Sequence, residues 1–75
     1  MEKKILQKIS KILKVKNINL KDNPKSMKNW DSLAHLEIIQ TLNVFLKINI
    51  SFEDTIKIKN VSDIIKVCKK YMNNK

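Results

Sequence analysis

Seventy-five residues at 8.8 kDa make one domain, and the absence of Gly, a single Pro and 43% apolar residues describe a compact helical chain, not a loop-rich or disordered one. A chain this short buries only about 60% of the surface its unfolded form exposes, which excludes a multi-domain enzyme and a deep substrate cavity. The formal charge is +9, from 16 Lys and 7 acids.

The elements follow in chain order. Ile5, Ile9, Ile12 and Leu13 recur at helical spacing while Lys4, Lys8 and Lys11 take the opposite face, which predicts an amphipathic helix over residues 2–15. Residues 17–29 hold the sole Pro, Pro24, and several Asn, and form the one loop-like stretch. A second helix begins at Asp31, whose carboxylate suits the free N–H groups and the positive dipole end of a first turn, and runs to Leu46. Its apolar residues cover more than one face, so it is either central or a docking surface, and some of Leu33, Leu36 and Val44 should stay exposed. Ile48, Asn49 and Ile50 alternate as a short extended link. Ser51 then caps a brief helix through Ile58, and Asn60 caps a last one, with Asp63 at capping-box spacing and Val61, Ile64, Ile65, Cys68 and Met72 as its stripe. The expected fold class is therefore all-α: a single domain over residues 1–75, a four-helix bundle with a long first loop and a short third helix.

A basic excess suggests a nucleic-acid binder, yet every basic residue is Lys, and none supplies the planar fork with which Arg reads guanine. Codon usage is a further source of Lys, since Lys, Asn and Ile, all with A/T-rich codons, make up 37 residues (16 + 9 + 12). The charge is also segregated: residues 1–30 carry nine Lys and two acids (+7), residues 57–75 six Lys and one acid (+5), and residues 31–56 one Lys and four acids (−3). The middle is opposite in sign to both flanks. No apolar run nears the roughly 18 residues of a membrane span, and the Lys-rich start alternates instead of leading into a signal peptide. One Cys forms no internal disulfide and no thiol pair for zinc, so the expected setting is reducing and cytoplasmic, with no metal.

Ser32 follows the Asp31 cap, which sets its hydroxyl at the first helical position beside unpaired N–H groups that favour an anion. A phosphate ester would be stabilised there, although the pair reads equally well as a plain helix start. The longer string Trp30-Asp31-Ser32-Leu33-Ala34-His35-Leu36-Glu37-Ile38-Ile39 resembles the acyl carrier protein family, whose attachment motif is Asp-Ser-Leu. The resemblance continues through the second helix, the Ile48-Asn49-Ile50 link, the short helix ending at Ile58 and Asn60-Val61-Ser62-Asp63-Ile64-Ile65, and so spans nearly the whole chain; only the first loop is shorter than usual. It implies a carrier, not an enzyme, whose Ser32 is esterified with 4′-phosphopantetheine from coenzyme A by a phosphopantetheinyl transferase, and which presents acyl or aminoacyl groups as thioesters. The same resemblance makes Asp31 a helper in holding the transferase's Mg²⁺. It places Leu33, Leu36, Glu37 and Gln40 on the docking face, and Ile38, Leu42, Leu46, Ile50, Ile58, Ile65 and Cys68 around an acyl chain. Further partners would be a loading ligase and a downstream transferase or synthase, met by a monomer with no stable nucleic acid.

The chain departs from that family in its acidic row. Glu37 alone remains, and Asn43, Val44 and Phe45 follow Leu42. Because charge complementarity governs encounter and partner choice, the loss points to a specialised pathway rather than a housekeeping synthase. Two other readings stay open: a small basic helical nucleic-acid-binding domain, and a carrier-like interaction module that is never modified.

Four remaining features have ordinary explanations. His35 lies one turn after Ser32, but Asp31, Ser32 and His35 within five residues do not make a triad, and an exposed His near the phosphate is expected. Cys68 falls on the core stripe. Trp30, just before the cap, should pack back on its own helix and position the loop before Ser32. Lys3, Lys4, Lys8, Lys11 and Lys14 should form a solvated face.

Overall fold

The computed structural model describes residues 2–73, and among these it contains four helices and no strand: α1 (Glu2–Leu13), α2 (Ser32–Leu46), α3 (Phe52–Lys57) and α4 (Val61–Asn73). The all-α architecture, the long first loop and the short third helix match the expectation from periodicity. Ile5, Ile9 and Leu13 of α1 meet Ile38, Leu42 and Leu46 of α2 and Val61, Ile64, Ile65 and Cys68 of α4 in one buried cluster. No described helix is long and apolar enough to cross a membrane.

Helix α1 stops two residues before the predicted end. Lys14 takes a left-handed conformation (φ 59°), and the Val15 N–H turns back to the Ser10 carbonyl at 3.0 Å, a Schellman-type closure. The Asn29 side chain caps the end from outside, donating to the Leu13 carbonyl at 2.9 Å. Helix α2 ends in the same way: Lys47 is left-handed (φ 56°) and the Ile48 N–H reaches the Asn43 carbonyl at 3.0 Å. In a chain without Gly, lysine occupies both positions that glycine ordinarily fills. The Asn43 side chain then accepts from the Ile50 N–H at 3.0 Å, which folds the 48–50 link against α2 and buries Ile50.

The first loop is built of local turns. The Asp22 carboxylate accepts from the Asn19 N–H at 2.8 Å, and the Asn23 side-chain oxygen accepts from the Lys25 and Ser26 N–H groups at 2.9 and 3.0 Å. It is also bound at long range to the start of α4. The Val61 and Ser62 N–H groups donate to the Asp22 and Leu20 carbonyls at 3.0 and 2.9 Å, and the Asp63 N–H donates to the Asn60 side chain at 2.8 Å. The free donors of that first turn are thus satisfied partly by the loop. Asp63 departs from an ordinary capping box, for its carboxylate accepts from the Lys59 N–H at 3.0 Å, one residue before the cap.

Candidate functional site at the start of helix α2

Asp31 is extended (φ −98°, ψ −172°), and its Oδ1 accepts from the Ala34 N–H at 2.9 Å while its carbonyl accepts from the His35 N–H at 2.9 Å. The expected cap is therefore present, and it makes Ser32 the first residue of α2 with its side chain exposed. Leu33 and Leu36 flank it at 78% and 51% exposure, Glu37 and Gln40 continue the exposed surface, and Val44 is exposed further along. The excess apolar coverage of α2 thus divides as the sequence suggests, with Ile38, Ile39, Leu42 and Leu46 inside.

His35 is not the exposed residue that the sequence suggests. It is half-buried, with both ring nitrogens engaged: the Trp30 indole N–H donates to Nδ1 at 3.1 Å, and Nε2 lies 3.0 Å from the Thr55 carbonyl on α3. An indole N–H only donates and a carbonyl only accepts, so the two bonds together require neutral imidazole with its proton on Nε2. Both nitrogens are thus committed away from Ser32, in keeping with the expectation that Asp31, Ser32 and His35 do not make a triad. The two rings stack at 6.1 Å and 24°, so Trp30 packs on its own helix in the position of a hydrophobic staple, with His35 as the partner.

Beside Ser32 a cleft of about 610 Å³ opens between α2, α3 and the first loop. Its apolar walls include Leu36, Phe52, Ile56 and Ile58, and its base includes Trp30, His35 and Thr55. Phe52 and Ile56 are 75% and 62% exposed, and sequence reasoning did not single them out. Their spacing of four on α3, on one side of the helix beside the buried Thr55, is the signal that identifies them. Of the seven interior positions, Ile38, Leu42, Leu46, Ile50, Ile58, Ile65 and Cys68 are all buried, and Ile58 also borders the cleft.

Helix α3 is held from the other side by α4. The Tyr71 hydroxyl donates to Asp54 Oδ2 at 2.6 Å and accepts from the Ser51 N–H at 2.9 Å, and the Lys70 ammonium stands 3.3 Å from the same carboxylate. The Tyr71 hydrogen bond, followed by Lys70, holds the Asp54 carboxyl below its usual range, against partial desolvation. Ser51 caps α3 through the Asp54 N–H at 3.1 Å. Burial pushes the Cys68 thiol up to about 11, in keeping with a core residue.

No protein-family model matches the chain, and no curated protein matches it at a significant level. Among solved structures, it is similar to the holo acyl carrier protein from Geobacter metallireducens, determined by solution NMR. The TM-score is 0.87 at 21% identity, over 97% of this chain and 86% of that one. The chain has the acyl carrier protein fold.

Proposed function

We propose that this protein is a carrier that presents acyl or aminoacyl groups as thioesters on a 4′-phosphopantetheine arm esterified to Ser32, and that it is not itself an enzyme. The observation that carries the reading is the placement of Ser32: an exposed hydroxyl on the first residue of α2, at the mouth of an apolar cleft, in a chain that has the acyl-carrier fold. The site suits the group. The Ser32 and Leu33 N–H groups precede the one that Asp31 caps, so an anionic ester at Ser32 lies where first-turn donors and the helix dipole favour negative charge. The cleft volume falls within the range of about 300–1,000 Å³ typical of small-molecule sites.

When attached, the group supplies a terminal thiol, and the protein supplies recognition and presentation. Ser32 provides the accepting hydroxyl and Asp31 holds the turn that exposes it; with Oδ1 on the Ala34 N–H, its carboxylate keeps further lone pairs for a transferase's Mg²⁺. Leu33, Leu36, Glu37 and Gln40 form a docking face that suits a partner with an apolar hollow and polar rim: the phosphopantetheinyl transferase, a loading ligase, and a downstream transferase or synthase. The interior set of Ile38, Leu42, Leu46, Ile50, Ile58, Ile65 and Cys68 is the apolar volume that an alkyl chain could reach only by parting α2 from α3. A thiol-bearing carrier suits a reducing cytoplasm and acts as a monomer. Loss of the acidic row assigns it to a specialised pathway.

The test is the intact mass after incubation with a broad-specificity phosphopantetheinyl transferase and coenzyme A, in parallel with Ser32→Ala. The native chain should gain one phosphopantetheine and the variant none. No gain across several transferases would favour the unmodified interaction module. Duplex titration at two ionic strengths then addresses the nucleic-acid reading, which requires tight binding with a steep loss in salt.

A further inference from the structure

Trp30, His35 and Thr55, joined in a chain of hydrogen bonds, line the cleft beside Ser32, and of the seven interior positions only Ile58 borders that cleft. We propose that this chain is a gate that confines the carried group to the surface cleft, so that the protein carries short acyl groups and excludes long alkyl chains, with His35 as the specificity-determining residue. The inference rests on the carrier reading and extends it to the class of substrate.

To pass from the cleft into the interior, an alkyl chain must separate α3 from α2. That motion removes the Thr55 carbonyl from His35 Nε2 and disturbs the stacked Trp30–His35 pair. The net hydrogen bond that this motion breaks, between His35 and the Thr55 carbonyl, shifts the opening equilibrium by about fivefold. Opening is opposed from the far side as well. Tyr71 grips both the Asp54 carboxylate and the Ser51 N–H, and Lys70 pairs with Asp54, so α3 does not swing freely on α4. Ile38, Leu42 and Cys68 behind the gate are fully buried, and a chain entering there displaces close-packed side chains instead of filling a void. The cleft itself offers a short acyl group the faces of Leu36, Phe52, Ile56 and Ile58 without breaking any of these bonds.

The experiment loads the native protein through the transferase with acetyl-, butyryl- or octanoyl-coenzyme A and measures cleavage of each thioester by hydroxylamine, with His35→Phe in parallel. Phe keeps a ring against Trp30 and removes both hydrogen bonds. The native octanoyl and butyryl thioesters should be cleaved within about twofold of each other, whereas in His35→Phe the octanoyl form should become at least about fivefold slower, the value of one lost bond. Protection of the native octanoyl form by that factor overturns the gate, as does a His35→Phe profile equal to the native one. Should His35→Phe fail to fold, Trp30→Phe removes the indole donor alone and should give intermediate protection; equality with the native profile again overturns the gate. A protein that accepts no arm overturns the carrier reading and this one with it, while one that loads and shelters octanoate overturns this one alone.

Discussion

Two helices of this glycine-free chain end on a left-handed lysine, and the more informative to perturb is Lys47, whose φ of 56° aims Ile48 and Ile50 back toward the core. A residue bearing a Cβ loses roughly 1–2 kcal/mol in the left-handed region, while Gly adopts it freely but surrenders about 0.5–1 kcal/mol more backbone entropy on folding. Lys47→Gly should therefore stabilise the protein by a net of about 0.5–1 kcal/mol. For a domain of this size a stability change of 1 kcal/mol moves the melting temperature by about 4–8 °C, so a rise of about 2–8 °C is expected. Lys47 is exposed, so little packing is lost. Lys47→Ala is the control, because it removes the same charge and stem but retains the Cβ.

The assay is thermal unfolding followed by circular dichroism at 222 nm for the native chain and both variants at moderate salt. Glycine above alanine by the stated margin supports backbone relief as the cause. If the two variants melt together, the left-handed turn at Lys47 is not a source of strain and the reasoning fails. A gain shared by both would instead assign the effect to charge.

Two other predictions concern titrating groups. Asp54 has a folded pKa below its ordinary value of 3.8, so its contribution to stability is present above that value and is lost as pH falls through the lower folded one; Asp54→Asn should be less stable than the native chain by a constant amount above about pH 5, with the gap narrowing below about pH 4, and a gap undiminished at pH 3 in urea titrations would contradict the assignment. Cys68 is fully buried with its thiol pushed up to about 11, so at pH 8 the unloaded protein should show no fast reaction with iodoacetamide until denatured, and the loaded protein exactly one fast thiol, that of the arm; rapid alkylation of Cys68 in the folded, unloaded chain would show that the core opens there.

What was legible in the chain is what a side chain can signal within a few residues of its own backbone. Asp31, Ser51 and Asn60 announce three helix starts because each caps an N–H three positions on, and the stripes of α1 and α4 announce their buried faces for the same reason of short range. The end of α1 was overrun because the usual stop residue is Gly, and nothing about Lys14 marks it as the residue that turns left-handed. His35 was misplaced because its second partner lies twenty residues away, and spacing within one helix carries no information about Thr55. The loop between α1 and α2 reads as polar and irregular; that its Leu20 and Asp22 carbonyls complete the first turn of α4 is a tertiary fact. Exposure of Phe52 and Ile56 is likewise decided by which side of α3 the buried Thr55 turns inward.

The charge pattern gains meaning once its members are placed. Of the four acids in the negative middle segment, Asp54 is committed to Tyr71 and Lys70, and Asp31 has one oxygen on the α2 cap. Glu37 and Glu53 remain, both exposed, one on α2 and one on α3. Against this stands a net +9 for the whole molecule, with part of the α1 basic face folded onto α2, where Lys8 covers the Phe45 ring at 4.4 Å. A strongly basic enzyme approaching from beyond the Debye length of about 10 Å meets net repulsion, and only at contact does it find two free carboxylates. Binding to such an enzyme would then be slow at low salt and faster as salt rises, the reverse of ordinary steering. On the carrier reading proposed above, a partner would rely on Leu33, Leu36, Phe52 and Ile56, whose exposed apolar surface is insensitive to salt. On that reading, recognition by shape and apolar contact follows from the exposure of these four side chains and from the scarcity of free carboxylates beside them.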